Sequence, residues 1–400
     1  MTRKTLMLLL VFVPAAGAFA QSPAYFESET RIERILDSYE RRFIRSSLQA
    51  KADLLHDAAL DDRAPEFFGP LCRFALDFVL ENAALFPNDP DMANLAVRAV
   101  RGIGESGYSP AAPALWRIFL GFRDNVIRFE ALAALPLLGS SEPVPDINRF
   151  LAEQNSLYGS SLAPDLTLLD GIIKTLGGIG DERSYPALFG ACLIYPGESG
   201  ENAAASLFAI NERAGGLGAF FIQVVLQNPV REKYEALELA KRPESAVNYG
   251  DLAEAALEAA LNQNLSGESV RRLRSDALRI IREEKIGRAL PLVIKNYNQC
   301  LSAYRSNRDR GRPDYLEAVS ALAAMENAEA AGLLTLQLDL VNSGMESSAS
   351  CDESVVTALV NALGGLGYRA AHDSLARMDR LPYSDAVKTS AADARAKLQW

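Results

Sequence analysis

From Thr30 onward, apolar residues recur at three- and four-residue intervals and strand-like alternation is scarce, so the chain is expected to be helical. In "TRIERILDSYERRFIRSSL" (30–48), Ile32, Ile35, Leu36 and Tyr39 share one face. Thr30 with Glu33 three residues on has the form of a capping box, predicting a helix start there. "PLCRFALDFVLENAALF" predicts a second, more apolar helix. Prolines and glycines punctuate short connections throughout.

From about residue 91 that punctuation becomes periodic. "NLAVRAVRGIGESGYSPAAPALWRIF" has the pattern of a helix, a glycine-rich turn and a second helix opening near Pro113. The arrangement recurs, and its anchors Pro113, Pro145, Pro186, Ala219, Pro291, Gly332 and His372 lie 32, 41, 33, 72, 41 and 40 residues apart. The 72-residue interval is about twice the others and predicts a divergent unit around 248–262. Periods of this size mark stacked helical pairs, because one pair cannot bury its apolar face alone. The expected fold is an all-α solenoid of antiparallel helix pairs over 91–400, preceded by a helical cap over 21–90.

"LGGIGDERSYPALFGAC" and "ALGGLGYRAAHDSLARM" resemble bacterial HEAT-like repeats, as also found in phycobilin-lyase-type repeat proteins. The resemblance implies an α-solenoid presenting an extended binding surface. It implies no particular chemistry.

"RGIGESGYSP" carries Gly102, Gly104 and Gly107 in the G-x-G-x-x-G spacing of a dinucleotide site. That motif requires a strand before its first glycine and a helix after its third. Here the equivalent runs "LDGIIKTL" and "VVTALVNAL" predict a helix before the glycines, whose role is then to end it in non-helical backbone.

The first residues change the expected compartment. "MTRKTLMLLLVFVPAAGAFAQ" has basic Arg3 and Lys4, an apolar run from Thr5 to Val13, and Ala18-Phe19-Ala20 before Gln21. This is the pattern of a secretory signal peptide (1–20) cut before Gln21, and the run is too short to span a bilayer. Cysteine is absent from the lipid-attachment position, so a periplasmic or other extracytoplasmic location without a lipid anchor is expected, and no later segment is apolar enough to span. Cys72, Cys192, Cys300 and Cys351 have no metal-type spacing. Cys300 with Cys351 is the least distant pair for a disulfide, with buried free thiols the alternative.

Without the leader the chain carries net charge −12, which argues against general nucleic-acid binding. The charge is uneven: residues 271–312 hold twelve basic and four acidic residues. Arg271, Arg274, Arg282 and Lys285 have spacings compatible with one helical flank. Arg305, Arg308, Arg310 and Arg312 lie in "YRSNRDRGRPDY", expected to be a polar connection between helices. Guanidinium groups suit carboxylate and phosphate, so these eight residues are the candidate surface for a protein or anionic envelope partner. The alternative is a solvated basic segment that balances acidic neighbours such as "EALELAKRPES" and "DLAEAALEAAL".

His56 and His372 each precede an aspartate, an outline resemblance to HEAT-type metal hydroxylases, which use more pairs and His-Glu rather than His-Asp. No metal, cofactor or catalytic set is expected. Trp116 is expected to pack between repeats with Leu115, Ile118, Phe119 and Leu120, and Trp400, the final residue, to dock or dangle; neither marks a cofactor box. The expected function is a non-catalytic scaffold or adaptor, and the alternative is an enzyme or ligand carrier using the groove. Intact mass of protein recovered from the envelope fraction checks the leader: a chain beginning at Gln21 is expected, and one retaining Met1 contradicts it.

Overall fold

The computed structural model describes residues 23–61, 65–85, 89–160, 164–262, 267–347 and 351–398; the side chains of 23–30 and Pro65 are not among them. The expected leader and Trp400 lie outside the described residues. Two compact units form, Met1–Ile147 and Asn148–Trp400. The first contains α1 (Pro23–Arg45), α2 (Leu48–Ala59), α3 (Phe68–Asn82), α4 (Pro90–Ser106), α5 (Ala112–Gly121) and α6 (Asn125–Ala134). The boundary falls within α7 (Val144–Leu157). The second continues with α8 (Leu166–Ile179), α9 (Tyr185–Ile194), α10 (Glu198–Ala214), α11 (Leu217–Gln227), α12 (Val230–Ala240), α13 (Tyr249–Asn262) and α14 (Glu268–Glu283). It ends with α15 (Leu290–Ser306), α16 (Arg308–Ala323), α17 (Ala328–Glu346), α18 (Glu353–Leu366), α19 (His372–Arg377) and α20 (Asp385–Ala396).

The fold is all-α and solenoid-like, with no strand among the described residues. Helices pack on their chain neighbours, as α3 on α4 and α15 on α16, and on helices two places along, as α4 on α6, α8 on α10 and α16 on α18. The divergent stretch between Ala219 and Pro291 supplies α12, α13 and α14, so the doubled interval contains an additional helix pair without the proline signal.

The sequence explains the alternation. Five helices, α4, α6, α8, α16 and α18, start on short polar caps: Asp89, Asp124, Asp165, Asn307 and Asp352 each accept a backbone N–H of the first turn, worth about 1 kcal/mol apiece. Their partners α5, α9 and α15 carry Pro113, Pro186 and Pro291 in the first turn, where a missing N–H costs no helical bond. Helix α17 departs from the proposed spacing: it starts at Ala328, so Gly332 lies one turn inside it. Thr30 is not a cap either, because α1 runs through it from Pro23; the cap in this region is Ser47, which accepts from the Ala50 N–H.

Glycine has two jobs where a single one was expected. Gly107, Gly180 and Gly367 end α4, α8 and α18 in left-handed backbone, with φ of 63°, 82° and 71°. Three residues earlier, Gly104, Gly177 and Gly364 are still helical, and there the absence of Cβ permits close approach. A Cβ would lie 3.2 Å from Ala134 Cβ, 2.7 Å from Ser206 Oγ and 2.8 Å from Ala394 Cβ, respectively, each on the helix two places along. Gly102 is also helical, and a Cβ there would clash with Cys72 Sγ. The G-x-G-x-x-G run is therefore a helix terminus plus two packing contacts.

A third device had no expectation attached. Lys51, Arg128 and Lys233 each occupy the fourth position of a helix and turn back onto the end of the preceding one. Lys51 Nζ donates to Phe43 O at 2.6 Å and Ser46 O at 2.5 Å, 5.0 Å from the Phe43 and Phe78 ring centres. Arg128 Nε donates to Phe119 O at 3.1 Å, and Lys233 Nζ to Val225 O and Leu226 O. A cation there satisfies orphan carbonyls and meets the negative end of the helix dipole. Trp116 is buried and stacks on Phe119 at 4.7 Å as its spacing implied, whereas Leu120 is 53% exposed.

Gly364→Ala and Gly365→Ala separate packing from propensity. Gly364 meets Ala394, whereas nothing lies within 4 Å of a Cβ at Gly365. Urea unfolding should show G364A destabilised by about 1–3 kcal/mol by overpacking and G365A unchanged or stabilised by about 0.5–1 kcal/mol.

Candidate functional site

The basic segment forms α14, α15 and the start of α16. Arg271, Arg274 and Arg282 lie on one flank of α14, and that flank faces α16. Asp314 Oδ1 accepts from Arg271 Nη2 at 2.7 Å and is 3.1 Å from Arg274 Nη2. One turn along each helix, Ser275 Oγ donates to Glu317; further on, Arg282 Nη1 donates to Ser320 Oγ at 3.2 Å. Asp314, Glu317 and Ser320 are spaced by three, so they form one stripe of α16. Lys285 lies beyond the end of α14 with φ 50°, and its Nζ is 3.0 Å from Glu326 Oε1.

The "YRSNRDRGRPDY" stretch is not an extended connection. Helix α15 continues to Ser306 and α16 begins at Arg308, leaving Asn307 as the single joint. Asn307 can serve because its extended backbone (φ −150°, ψ 100°) reverses direction while its Oδ1 accepts the Arg310 N–H. The hairpin is tight enough that a Cβ on Gly311 would lie 2.6 Å from Tyr304 Cα. Pro313 sits within α16 without ending it.

The last four arginines have different surroundings. Arg305 Nη2 donates to Gln337 Oε1 at 3.1 Å on α17. Arg312 Nε is 2.5 Å from Asp352 Oδ2, at the start of α18, and its Nη2 is 3.1 Å from Asp309 Oδ1. Arg308 and Arg310 are exposed in the first turn of α16. Arg310 makes no ion pair among the described residues.

Much of the positive charge is thus used between helices of neighbouring pairs. Arg288 does the same backward along the chain, bridging Asp251 and Glu254 on α13. The balance with acidic neighbours is therefore made by direct pairing. Burial pushes the Asp314 carboxyl up, but the Arg271 hydrogen bond and the Arg274 charge outweigh it, so it stays below the usual carboxylate value. Asp352 behaves similarly: burial raises it, while Ser354 and Arg312 bring it below its ordinary value.

Two cavities flank the Asn307 joint. The larger, about 460 Å³, is walled by Glu268, Arg271, Arg274, Arg310 and Asp314, with Cys300 and Gly311 also on its surface. The other, about 290 Å³, gathers Tyr304, Arg305, Arg308, Gln337 and Asp352 with apolar residues of α17 and α18. The eight sequence-predicted cations therefore do not make one patch. Arg271, Arg274 and Arg310 share the first cavity, Arg305 and Arg308 the second, Arg312 bridges α16 to α18, and Arg282 and Lys285 continue the α14–α16 seam.

Of two buried groups in this region, Arg274, a candidate from the sequence, lines the larger cavity, whereas Asn296, one turn before Cys300, was not singled out. Arg274 is 1% exposed, with Nε and Nη1 lacking hydrogen-bond partners among the described residues. Asn296 is 0% exposed; its Oδ1 accepts weakly from Cys300 Sγ at 3.7 Å, and its Nδ2 likewise lacks a partner. The available signal was the repeat period: positions about 40 residues beyond α14's cations carry Asp314, Glu317 and Ser320, which assigns that flank to a neighbour.

All four cysteines are free thiols. Burial raises Cys300 to about 11 and Cys192 to about 12, so neither has the depressed thiol pKa of an activated nucleophile. No group of three or more His, Cys, Asp or Glu residues converges on a metal position among the described residues. His56 is exposed at the end of α2, and His372 begins α19 with Nδ1 3.0 Å from Asp373 Oδ1. No helix among the described residues is long and apolar enough to cross a membrane.

No protein-family pattern and no curated protein matches the chain. One solved structure, described as concerning a phosphorylation switch that controls the interaction between cadherin and beta-catenin, aligns over 92% of this chain and 96% of its own. Identity is 12% and the TM-score 0.28, a similarity too loose to inform the function of this chain.

The Asp314 seam predicts an acid-sensitive contribution to stability. A carboxyl held below its unfolded value stabilises the fold above the ordinary carboxylate range and loses that contribution as pH falls through the lower folded value. Asp314→Asn should cost about 3 kcal/mol at pH 7, because Arg274 loses its carboxylate while buried, and should flatten the pH 3–6 dependence of the urea midpoint. Lys285→Ala, at an exposed pair, should cost less than about 1 kcal/mol. Equal losses would remove the distinction between the buried and exposed parts of the seam.

Proposed function

We propose that this chain is an exported, non-catalytic scaffold of HEAT-like repeats that captures a protein or an anionic envelope component outside the cytoplasm. The observation that carries this reading is the contrast within the basic segment. Arg271, Arg274, Arg282, Lys285 and Arg312 contact neighbouring repeat helices, whereas Arg310 is exposed without an ion pair beside exposed Arg308. Exposed guanidinium groups on a rigid hairpin suit carboxylate- or phosphate-bearing surfaces. The secretory pattern of residues 1–20 supports the envelope location, and the net acidity of the whole chain disfavours nucleic acid.

The second reading, a ligand carrier, is favoured by the larger cavity and its buried Arg274. Catalysis receives less support: the four cysteines have raised pKa values, and the two histidines are exposed or half-buried without an activating set.

Tagged mature protein, purified from its own envelope fraction with bound components identified by mass spectrometry, tests the scaffold reading. Arg308→Glu with Arg310→Glu should abolish capture while leaving the melting temperature within about 2 °C, as expected for exposed substitutions. Arg305 and Arg312 are left intact because they contact Gln337 and Asp352. Undiminished capture by the double variant sinks the assignment of this hairpin as the contact surface.

A further inference from the structure

The larger cavity beside the Asn307 joint collects hydrogen-bond donors in excess of its acceptors. Asp314 Oδ1 is shared by Arg271 and Arg274. That leaves Arg274 Nε and Nη1 buried and unpartnered among the described residues, although Arg274 forms part of the cavity wall. Arg310 contributes a guanidinium without an ion pair from the same wall. Asn296 Nδ2 is a further unpartnered buried donor one turn from cavity-lining Cys300. A buried guanidinium lacking part of its hydrogen bonding is costly, which makes Arg274 the least satisfied charged group at the site.

The surroundings favour an anion. Three arginines face the cavity with two carboxylates, Glu268 and Asp314, leaving one net positive charge. The cavity also abuts the first turn of α16, whose N-terminal dipole is positive. Gly311 adds backbone without a side chain, and a Cβ there is blocked by Tyr304. The volume of about 460 Å³ accommodates an oxyanion with a small organic body.

We propose that this cavity binds a small oxyanion, carboxylate or phosphate, with buried Arg274 and rim Arg310 as the donors that hold it. The charged oxygens would accept from Arg310 and from the Arg274 guanidinium, while Asp314 continues to orient Arg274. This assignment is independent of scaffold function: the protein could hold such an anion whether or not Arg308 and Arg310 capture a macromolecule.

Calorimetric titration of the full mature chain in chloride buffer tests it, with inorganic phosphate and acetate as separate probes. Saturable binding of at least one probe is expected, and the stronger response identifies the preferred oxyanion. Arg310→Gln, at an exposed position, should fold as the parent and bind about tenfold more weakly, the loss expected for one charge-assisted hydrogen bond. Arg274→Met, which keeps length without donors, should abolish binding; if it fails to fold, Arg310→Gln decides alone. Absence of saturable binding for both probes, or parental affinity in Arg310→Gln, overturns the proposal. Failure of the parent protein to capture any component from its envelope fraction, with saturable anion binding, would reject the scaffold reading and leave this site standing.

Discussion

A single helix pair cannot bury its apolar face alone, and among the described residues many helices, as α4 on α6, α8 on α10, α14 on α16 and α18 on α20, pack on the helix two places along the chain. That requirement governs the positions of glycine and much of the charge placement. Where α8 meets α10 and α18 meets α20, a helical glycine allows an approach that a Cβ would obstruct, and where α4 meets α6 a Cβ would crowd Ala134. Where α14 meets α16 the same adjacency is held by Arg271 and Arg274 on Asp314, Ser275 on Glu317, and Arg282 on Ser320. The contacts differ, but both kinds fix the register of one pair against the next.

This arrangement alters the meaning of the basic segment. Twelve basic residues between 271 and 312 suggest a surface when counted along the sequence. In three dimensions, many of them face the neighbouring pair, because their acidic partners lie about one repeat away. The Asn307 joint then separates two environments within a short distance. On one side a guanidinium is buried with donors to spare, and on the other Arg305 and Arg308 line a smaller cavity with apolar walls. Function is therefore sought in residues whose bonding the repeat packing does not complete.

Architecture was legible in the sequence because helix punctuation is local. Pro113, Pro186 and Pro291, read from the sequence, sit in first turns, and the caps Asp89, Asp165 and Asp352, not singled out there, are set by the same chemistry within a few residues. Roles set by contacts between distant residues were less legible. Gly104 and Gly107 look alike in sequence, but one needs space beside Ala134 and the other needs left-handed backbone. Thr30 has the residue type of a cap, yet nothing local stops α1 from continuing through it. The arginine-rich stretch around Asn307 looks like a loop by polarity, whereas a single capping residue suffices to reverse the chain. The buried state of Arg274 depends on α14, α15 and α16 together, which no local pattern reveals.

The central claim is that the α14 cations act first on α16 and only then on any partner. A double-mutant cycle on Arg274→Met and Asp314→Leu measures it most directly, using urea unfolding at pH 7. A buried ion pair resists loss of either member more than its joint replacement by apolar groups of similar size. The account predicts that each single variant loses about 3 kcal/mol, and that the double variant recovers most of that loss, with coupling of at least about 1.5 kcal/mol. Additive losses with coupling near zero would contradict it.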